Sequence, residues 1–469
     1  MIAGGGVRKI RNYQNGQALV LFLAFAAALT GIMLVAFNSG QVTNAKMRAM
    51  NAADAAAYSG AVWQARTLNF QAYMNRAMIV NEVTIAQSVS LRSWIDYLAE
   101  LVRNVGHIAK FYPPVYAAVQ KVSVVLDKVN NEIQRQLPQV EDALRALNTI
   151  EHTAQIVFNN SGSVIAADIA YEVTKRNGAE ISRGGAALFA YNVKEWSEFT
   201  ETYNKTNRPS IGKNSDGRAR LREVVLNSRD EFSRARDWKL GTVISLRKQG
   251  GTDLIDYDAW KAMDSLEFRL GFSGFGAKMP LGWGGAQAYS TSRAVSKIGE
   301  HGDFNDWGAY DGLLARNAAM SKLTANQLTF SAKRASFPNY RDIQEFDVKN
   351  TKKNMLPFAV EVVIKRNVIA TAASTMAAKT VLIGGTVIEY DPQYIDEGGV
   401  YAIAEACITF QRPFDHPREN GAVEFPSLFN PYWRASLATD DVIPMGIVAI
   451  AKRIPALSAA MKGRGSCRI

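Results

Sequence analysis

The chain has 469 residues, of which 48% are hydrophobic and 21% charged, so its composition is that of a folded protein and excludes wholesale disorder. This length is sufficient for two or three domains with a sizeable core. The formal net charge is +11, and the two cysteines are too few for a disulfide scaffold.

The most apolar stretch of the chain is residues 18–37, which contain no charge. At about 1.5 Å per residue, a helix of this length spans roughly 30 Å, the thickness of a bilayer core. We predict a transmembrane anchor at 17–38 and a cytoplasmic basic tail at 1–16, because positive charge stays inside. The basic residues of the tail are Arg8, Lys9 and Arg11. The alternatives are a cleaved secretory signal, whose apolar region is usually shorter, and a buried core helix.

This orientation makes the remainder of the chain extracytoplasmic, and periplasmic in a cell with two membranes. Disulfides are compatible with that compartment. A bond between Cys407 and Cys467 would tie the C-terminal tail to a strand, and two free thiols are the alternative.

Residues 39–176 have helical periodicity and are predicted to form a helical stalk. Two prolines interrupt it near 111–114, because proline restricts the residue before it and removes a hydrogen-bond donor, so we expect an antiparallel hairpin of two helices. The second helix carries an apolar stripe with nearly heptad spacing. Its members are Val115, Val119, Val122, Leu126, Val129, Ile133, Leu137, Val140, Leu144 and Leu147. The stripe serves either packing within the chain, which we favour, or a contact with another protein chain.

A segment rich in small residues, NAADAAAYSGA, occupies residues 51–61. On a helical wheel its neighbourhood forms one face that another helix could approach closely. This helix-packing face consists of Ala45, Ala49, Ala52, Ala56, Ser59 and Gly60. Asp54 points the opposite way, either as a solvated carboxylate or as one half of an ion pair with a partner chain.

Residues 177–469 are richer in glycine and aromatic residues and are predicted to form one mixed α+β domain. A helix is expected at 220–238. Strands are expected at 241–246, 265–270, 358–364, 381–390 and Val400–Phe410. The predicted fold class is therefore α+β, with an N-terminal transmembrane helix, a long helical stalk or hairpin, and an extracytoplasmic α+β domain.

Residues 205–248 contain twelve Lys or Arg and five Asp or Glu. The recurrence of Arg222, Arg229 and Arg236 every seven residues favours a solvated helix face. The alternative is a basic patch that would bind a polyanion such as cell-wall material or DNA. Such a patch would include Arg218, Arg220 and Arg222.

The sequence contains no motif that indicates catalysis. Its four histidines are scattered without metal-ligand spacing, and neither H-E-x-x-H nor C-x-x-C occurs. We therefore predict no catalytic, cofactor-binding or metal-binding residue and no small-molecule substrate. An extracytoplasmic hydrolase using Asp253, Asp256 and His301 is the least favoured alternative.

Four features follow one another near the N-terminus: a basic tail, a glycine directly before the apolar run, a polar spacer, and a small-residue segment with one aspartate. The last is Asn51, Ala52, Ala53 and Asp54. Over roughly residues 10–65 the chain resembles the N-terminal region of TadE/TadG-like proteins of tight-adherence (Flp) pilus assembly. The resemblance implies a single-pass inner-membrane protein with a periplasmic body, which contacts other pilus-assembly proteins and is not an enzyme. We expect it to act by helix packing.

Two departures from related families restrict this expectation. Related prepilins are cut after a glycine and have Glu at the fifth mature position. The corresponding site here is Gly16-Gln17, but the fifth residue would be Leu21, which disfavours polymerisation as a pilin subunit. The chain also has no D-x-S-x-S sequence, so the metal site of von Willebrand A domains is not expected.

Overall fold

The computed structural model of the chain describes residues 17–182, 184–203, 217–255, 259–271, 277–288, 339–343, 355–370, 380–383, 386–389, 399–412 and 426–438. Its helices are α1 (Gln17–Ala109), α2 (Pro113–Arg176), α3 (Gly185–Phe199), α4 (Gly217–Asn227) and α5 (Glu231–Arg234). Its strands are β1 (Glu180–Ile181), β2 (Thr200–Tyr203), β3 (Trp238–Leu240), β4 (Ile244–Ile255), β5 (Ala259–Leu270), β6 (Ala277–Ala288), β7 (Tyr340–Ile343), β8 (Leu356–Ile364), β9 (Thr380–Ile383), β10 (Thr386–Glu389), β11 (Val400–Phe410) and β12 (Trp433–Leu437).

Helices α1 and α2 form a long hairpin. α1 has 93 residues, which corresponds to about 140 Å at ~1.5 Å per residue. The chain turns at 110–112, and Pro113 opens α2, where a missing N–H costs nothing. α2 continues through Pro138 without ending. The predicted proline break therefore lies where the structure has its turn.

The first sheet has the strand order β1-β8-β11-β12, with every neighbouring pair antiparallel. It lies on the small-residue face of α1, and together they form one hydrophobic core. In this core each alanine of β11 is paired with a larger residue of β8: Ala404 with Val360, and Ala406 with Phe358. Small side chains on α1 therefore leave room for the aromatic and branched residues of the sheet.

The second sheet is an antiparallel meander in the order β3-β4-β5-β6. It packs on a more distal part of α1, and their shared core includes Met78, Ile85, Val89 and Trp260. At Gly284 of β6, a β-carbon would overlap backbone atoms of α1 at Tyr97. Glycine is thus required because the strand and helix backbones touch there.

Several elements differ from the sequence expectation. The helix predicted at 220–238 is wrong: α4 and α5 are separated at 228–230, and β3 begins at Trp238. The single strand predicted at 381–390 consists instead of two paired strands, β9 and β10. β6 was not predicted, because its glycine-rich sequence lacks the alternation of a half-buried strand.

The α+β class is confirmed, with a long apolar N-terminal helix, a helical stalk and a strand-rich region. Both sheets use α1 as their central support. The predicted boundary between a stalk at 39–176 and a domain at 177–469 stays a prediction.

Candidate interaction site

The first part of α1 is exposed along the whole apolar run. One helix among the described residues is long and apolar enough to cross a membrane by length and composition, and its most apolar window has no buried residue. Leu21, Phe22 and Met33 all lie in the open. An apolar surface of this size in water is unfavourable, and the absence of burial argues against the core-helix alternative.

The helix-packing face continues directly from this exposed run and lies under the first sheet. Ala49, Ala52 and Ala56 are fully buried, and Ser59 is half-buried. At Gly60 a β-carbon would overlap the Phe358 ring, so the sheet sits as close as a glycine allows. The remaining members of the face, Ala45 and Gly60, are buried as well. The face was predicted to contact another helix, whereas in the structure strands of the same chain cover it.

The sheet is attached to α1 by polar contacts that sequence reasoning missed. Lys46 Nζ donates to the Tyr401 carbonyl at 2.6 Å. Asn69 donates to the Trp433 carbonyl at 2.9 Å and accepts from the Trp433 amide at 2.9 Å. An asparagine that satisfies both backbone groups of a strand residue fixes the strand position along the helix.

The side of α1 that bears Asp54 is the free surface of this segment. Met47, Met50 and Tyr58 are exposed there, and Asp54 is half-buried. Burial raises the pKa of the Asp54 carboxyl above its ordinary value. No hydrogen bond or ion pair joins Asp54 to any part of the chain that the structure describes. Within the described residues, the carboxylate thus lies among exposed side chains and has no partner cation.

A row of buried amides, also missed from the sequence, connects α1 to α2. Gln71 donates to Asn159 Oδ1 at 3.2 Å, and Gln155 donates to Asn75 Oδ1 at 2.6 Å. Further along, Asn81 donates to Asn148 Oδ1 at 2.9 Å. The spacing of Asn148, Gln155 and Asn159 by seven and four residues is the sequence signal that places them on one helix face.

Glu82 ends this row in the core between the helices and the second sheet. Its carboxylate accepts from Trp260 Nε1 at 2.9 Å and from Asn148 Nδ2 at 2.9 Å. Burial raises the pKa of the Glu82 carboxyl, and the charge of Arg145 and the two hydrogen bonds oppose that rise.

Three cations in the described part of the predicted basic region, Arg229, Arg236 and Lys248, are buried. Arg236 forms a two-fold contact with the buried Asp264 at 2.8 Å, and Lys248 approaches the same carboxylate at 2.5 Å. Arg229 donates to the Thr252 carbonyl. Burial alone would raise the pKa of Asp264, but the two cations hold it below its ordinary value.

The expectation of a solvated helix face through Arg222, Arg229 and Arg236 is therefore wrong, because these side chains are buried or mostly buried in the fold. Arg222 is mostly buried and lies 3.7 Å from Asp253. The side chains of Arg218 and Arg220 lie outside the described residues. The described part of the region accordingly offers no observation in favour of polyanion binding.

The apolar stripe predicted on α2 is only partly used within the chain. Leu137 and Leu144 are half-buried against the core of the second sheet. Val122, Val129 and Leu147 remain exposed. Packing within the chain therefore accounts for one edge of the stripe and leaves the other uncovered.

The remaining predicted sites are only partly covered by the structure. Cys407 is fully buried in β11, whereas Cys467 lies outside the described residues, so their pairing stays a prediction. Gly16 lies outside the described residues too, and Gln17 is the first residue of α1. Asp256 and His301 of the hydrolase alternative are likewise outside. Among the described residues, no group of three or more His, Cys, Asp or Glu could hold a metal ion.

The fold and the site define a class of protein: an α+β body built around a helix that continues from an exposed apolar segment. Residues 16–65 match the family model described as "Putative Flp pilus-assembly TadE/G-like". This match confirms the resemblance over that segment and supports a pilus-assembly component. Comparisons with curated proteins and with solved structures found no match.

Proposed function

We propose that this protein is a membrane-anchored, non-enzymatic component of a Tad (Flp) pilus-assembly machine, with its N-terminus in the cytoplasm and its body outside the inner membrane. The observation that carries the proposal is the family match at 16–65, which covers both the exposed apolar run and the adjoining small-residue segment of α1. Because α1 is one uninterrupted helix, the anchor would be rigidly connected to the body.

Deletion of the gene in a piliated strain tests the role in pilus assembly. We expect pili to be absent or altered by electron microscopy, and expression of the full chain to restore them. Normal pili and normal surface attachment in the deletion strain would contradict the proposal.

The proposed orientation is tested by labelling single introduced cysteines in intact spheroplasts with a membrane-impermeant maleimide. Met47→Cys should react from outside, because Met47 is exposed beyond the apolar run. Gly5→Cys should react only after the membrane is permeabilised, because the tail is basic. The parent chain supplies the background from its own two cysteines, and the opposite labelling pattern would reverse the topology.

The surface proposed to contact other pilus-assembly proteins is the exposed side of α1 at Met47, Met50 and Tyr58, with Asp54 among them. The small-residue face already packs on the first sheet, whereas this side is open. A partner cation would satisfy the half-buried carboxylate and exclude water from the apolar side chains around it.

Asp54→Asn tests that contact in the same strain. We expect fewer pili with unchanged amounts of folded protein, while Asp142→Asn, which removes an exposed carboxylate on α2, should leave piliation unchanged. Normal piliation with Asp54→Asn would leave Asp54 a solvated carboxylate and remove it from the proposed contact.

A further inference from the structure

The outer side of α2 carries a long exposed apolar surface, here called the α2 seam. Its large members are 41–62% exposed. They are Val115, Val122, Val125, Val129, Val140, Leu147, Ile150, Val157 and Val164. The seam includes members of the stripe predicted from the sequence and extends beyond it toward the C-terminal end of the helix.

The seam is separate from the surface that holds α2 on α1. The buried positions of α2 in its first two thirds are polar, among them Asn130, Glu141 and Asn148. On a helical wheel these lie roughly 100° from Val129 and Leu147. The hairpin is thus joined through its polar side, and the apolar side faces outward, the reverse of an ordinary surface helix.

The size of the seam indicates a protein contact. Its exposed apolar surface amounts to roughly 700 Å², which exceeds the ~300–600 Å² of the largest apolar patch on a typical monomer. It is close to the ~800 Å² that each partner contributes to a standard interface. A surface of this size is in the range that protein interfaces bury.

The spacing of the seam restricts the occupant to a helix. Its positions step alternately by three and four residues from Val115 to Gln136 and again from Val140 to Val164, which is the spacing of a coiled coil. Alanine occupies the steps at 118, 143 and 154, and polar residues occupy those at 132, 136 and 161. The layers from Val115 to Val164 extend over about 75 Å at ~1.5 Å per residue. A partner that covers them must present an equally long helix with the same spacing.

The second copy of the chain presents such a helix in the required direction. α2 runs antiparallel to α1 and returns to the level of Arg48, where a β-carbon on Gly178 would lie 3.0 Å from the Arg48 guanidinium. Copies anchored in one membrane therefore hold their seams parallel. A two-fold axis along the membrane normal brings identical layers together. We propose that the protein forms a parallel homodimer in the membrane through the α2 seam.

The charges around the seam are compatible with this pairing. Glu132, the acidic residue within it, is neutralised by its own Arg135 at 2.7 Å. Lys121 and Lys128 lie along one side of the seam. In a parallel pair of helices this side of one copy faces the opposite side of the seam on the second copy. That opposite side carries apolar residues at 126 and 133, on which lysine stems pack while their ammonium groups reach water.

Valine recurs every seven residues in the first part of the seam, at Val115, Val122 and Val129, so one position of each heptad carries a β-branched side chain. Gln136 gives one polar layer, in which its side chain donates to Glu132 of the same helix at 2.9 Å. The parallel arrangement rests on the membrane anchoring proposed above but not on the role in pilus assembly, since self-association is measured without reference to pili.

The test is oxidative cross-linking of full-length protein in its own membrane, with Val129→Cys as the seam variant. Two differently tagged copies are expressed together, and a disulfide-linked dimer that contains both tags is expected. Asn131→Cys, two residues away on a side of α2 turned from the seam, is the matched control and should give no such dimer. The parent chain shows the background from Cys407 and Cys467.

Three outcomes would overturn the proposal. Quantitative maleimide labelling of Val129→Cys without any dimer would show an open seam. A cross-link to Cys467 of the same chain would show that the C-terminal segment covers it. A product containing only one copy and another protein would show a different partner.

A second variant separates loss of contact from loss of fold. Val122→Glu combined with Val129→Glu places charges in the seam, so the purified full chain in detergent should change from dimer to monomer by light scattering. Helical content and the thermal unfolding midpoint of the monomer should stay unchanged, because both positions are exposed in the single chain. A dimer that persists in this variant contradicts the seam as its interface.

Discussion

At the scale of single residues, the contact between α1 and the first sheet depends on the absence of side chains. Gly60 lies against the Phe358 ring, whereas Gly40 on the same helix has nothing within 4 Å of the position of a β-carbon. These two glycines provide a matched pair, because both are helical and differ only in what surrounds them.

Gly60→Val should destabilise the body by about 1–3 kcal/mol, since the added atoms overlap a buried ring. The measurement is the thermal unfolding midpoint of the purified chain in detergent. Gly40→Val should leave it nearly unchanged, and Phe358→Leu in the Gly60→Val background should recover part of the loss. Equal effects of the two valines would contradict the close contact.

Glu82 should give stability a pH dependence that Glu82→Gln removes. Burial raises the pKa of its carboxyl above the ordinary value of 4.5, so the folded state prefers the neutral acid. This contribution is fully present below pH 4.5 and is lost as the pH rises through the folded-state pKa. Relative to the parent, the unfolding midpoint of Glu82→Gln should therefore increase from pH 4.5 toward neutrality.

The control for that measurement is Glu172→Gln, which removes an exposed carboxylate that pairs with Arg176. Its difference from the parent should be small, because exposed ion pairs contribute little. A pH-independent difference between Glu82→Gln and the parent would show that the carboxyl titrates equally in the folded and unfolded chain.

At the scale of elements, the helices and strands that the sequence predicts correctly are those whose apolar residues recur in a regular local pattern. β11 is found at the predicted residues, and β8 begins two residues before its prediction, because both are rich in branched, small and aromatic apolar residues, with a single glutamate in each. β6 was not predicted, because glycine in a short stretch of sequence usually indicates a loop. Here Gly282 and Gly284 are needed for close contact between the strand and α1.

The candidate interaction site was likewise predicted only where its residues form a local pattern. The small-residue face and the exposed side of Asp54 were visible as a helical pattern. The strands that cover that face come from about 300 residues away or more, so no local pattern in α1 could identify them. Likewise, the burial of Arg236 and Lys248 depends on Asp264, whose approach is a property of the sheet register.

The predicted disulfide concerns how β11 is tied to the C-terminal tail. If Cys407 and Cys467 are bonded, the denatured protein should not react with a thiol label until a reductant is added, and should then take up two labels. Cys467→Ser should lose about 2–5 kcal/mol of stability. Quantitative labelling of both thiols without reductant would contradict the bond.

At the scale of the whole molecule, α1 unites parts that the sequence suggested were separate. The same helix carries the exposed apolar run, the first sheet and then the second sheet. A stalk with a head at its end would let the two move independently. Here both sheets pack along α1, so a displacement of this helix displaces both sheets.

The long separation between α1 and the strands that cover it has a consequence for biogenesis. Lys46 and its partner Tyr401 are 355 residues apart. At ~5–20 residues per second, the ribosome needs roughly 20–70 s to produce the second after the first. Contacts of such high contact order form late. The small-residue face of α1 therefore leaves the ribosome well before the strands that cover it have been synthesised.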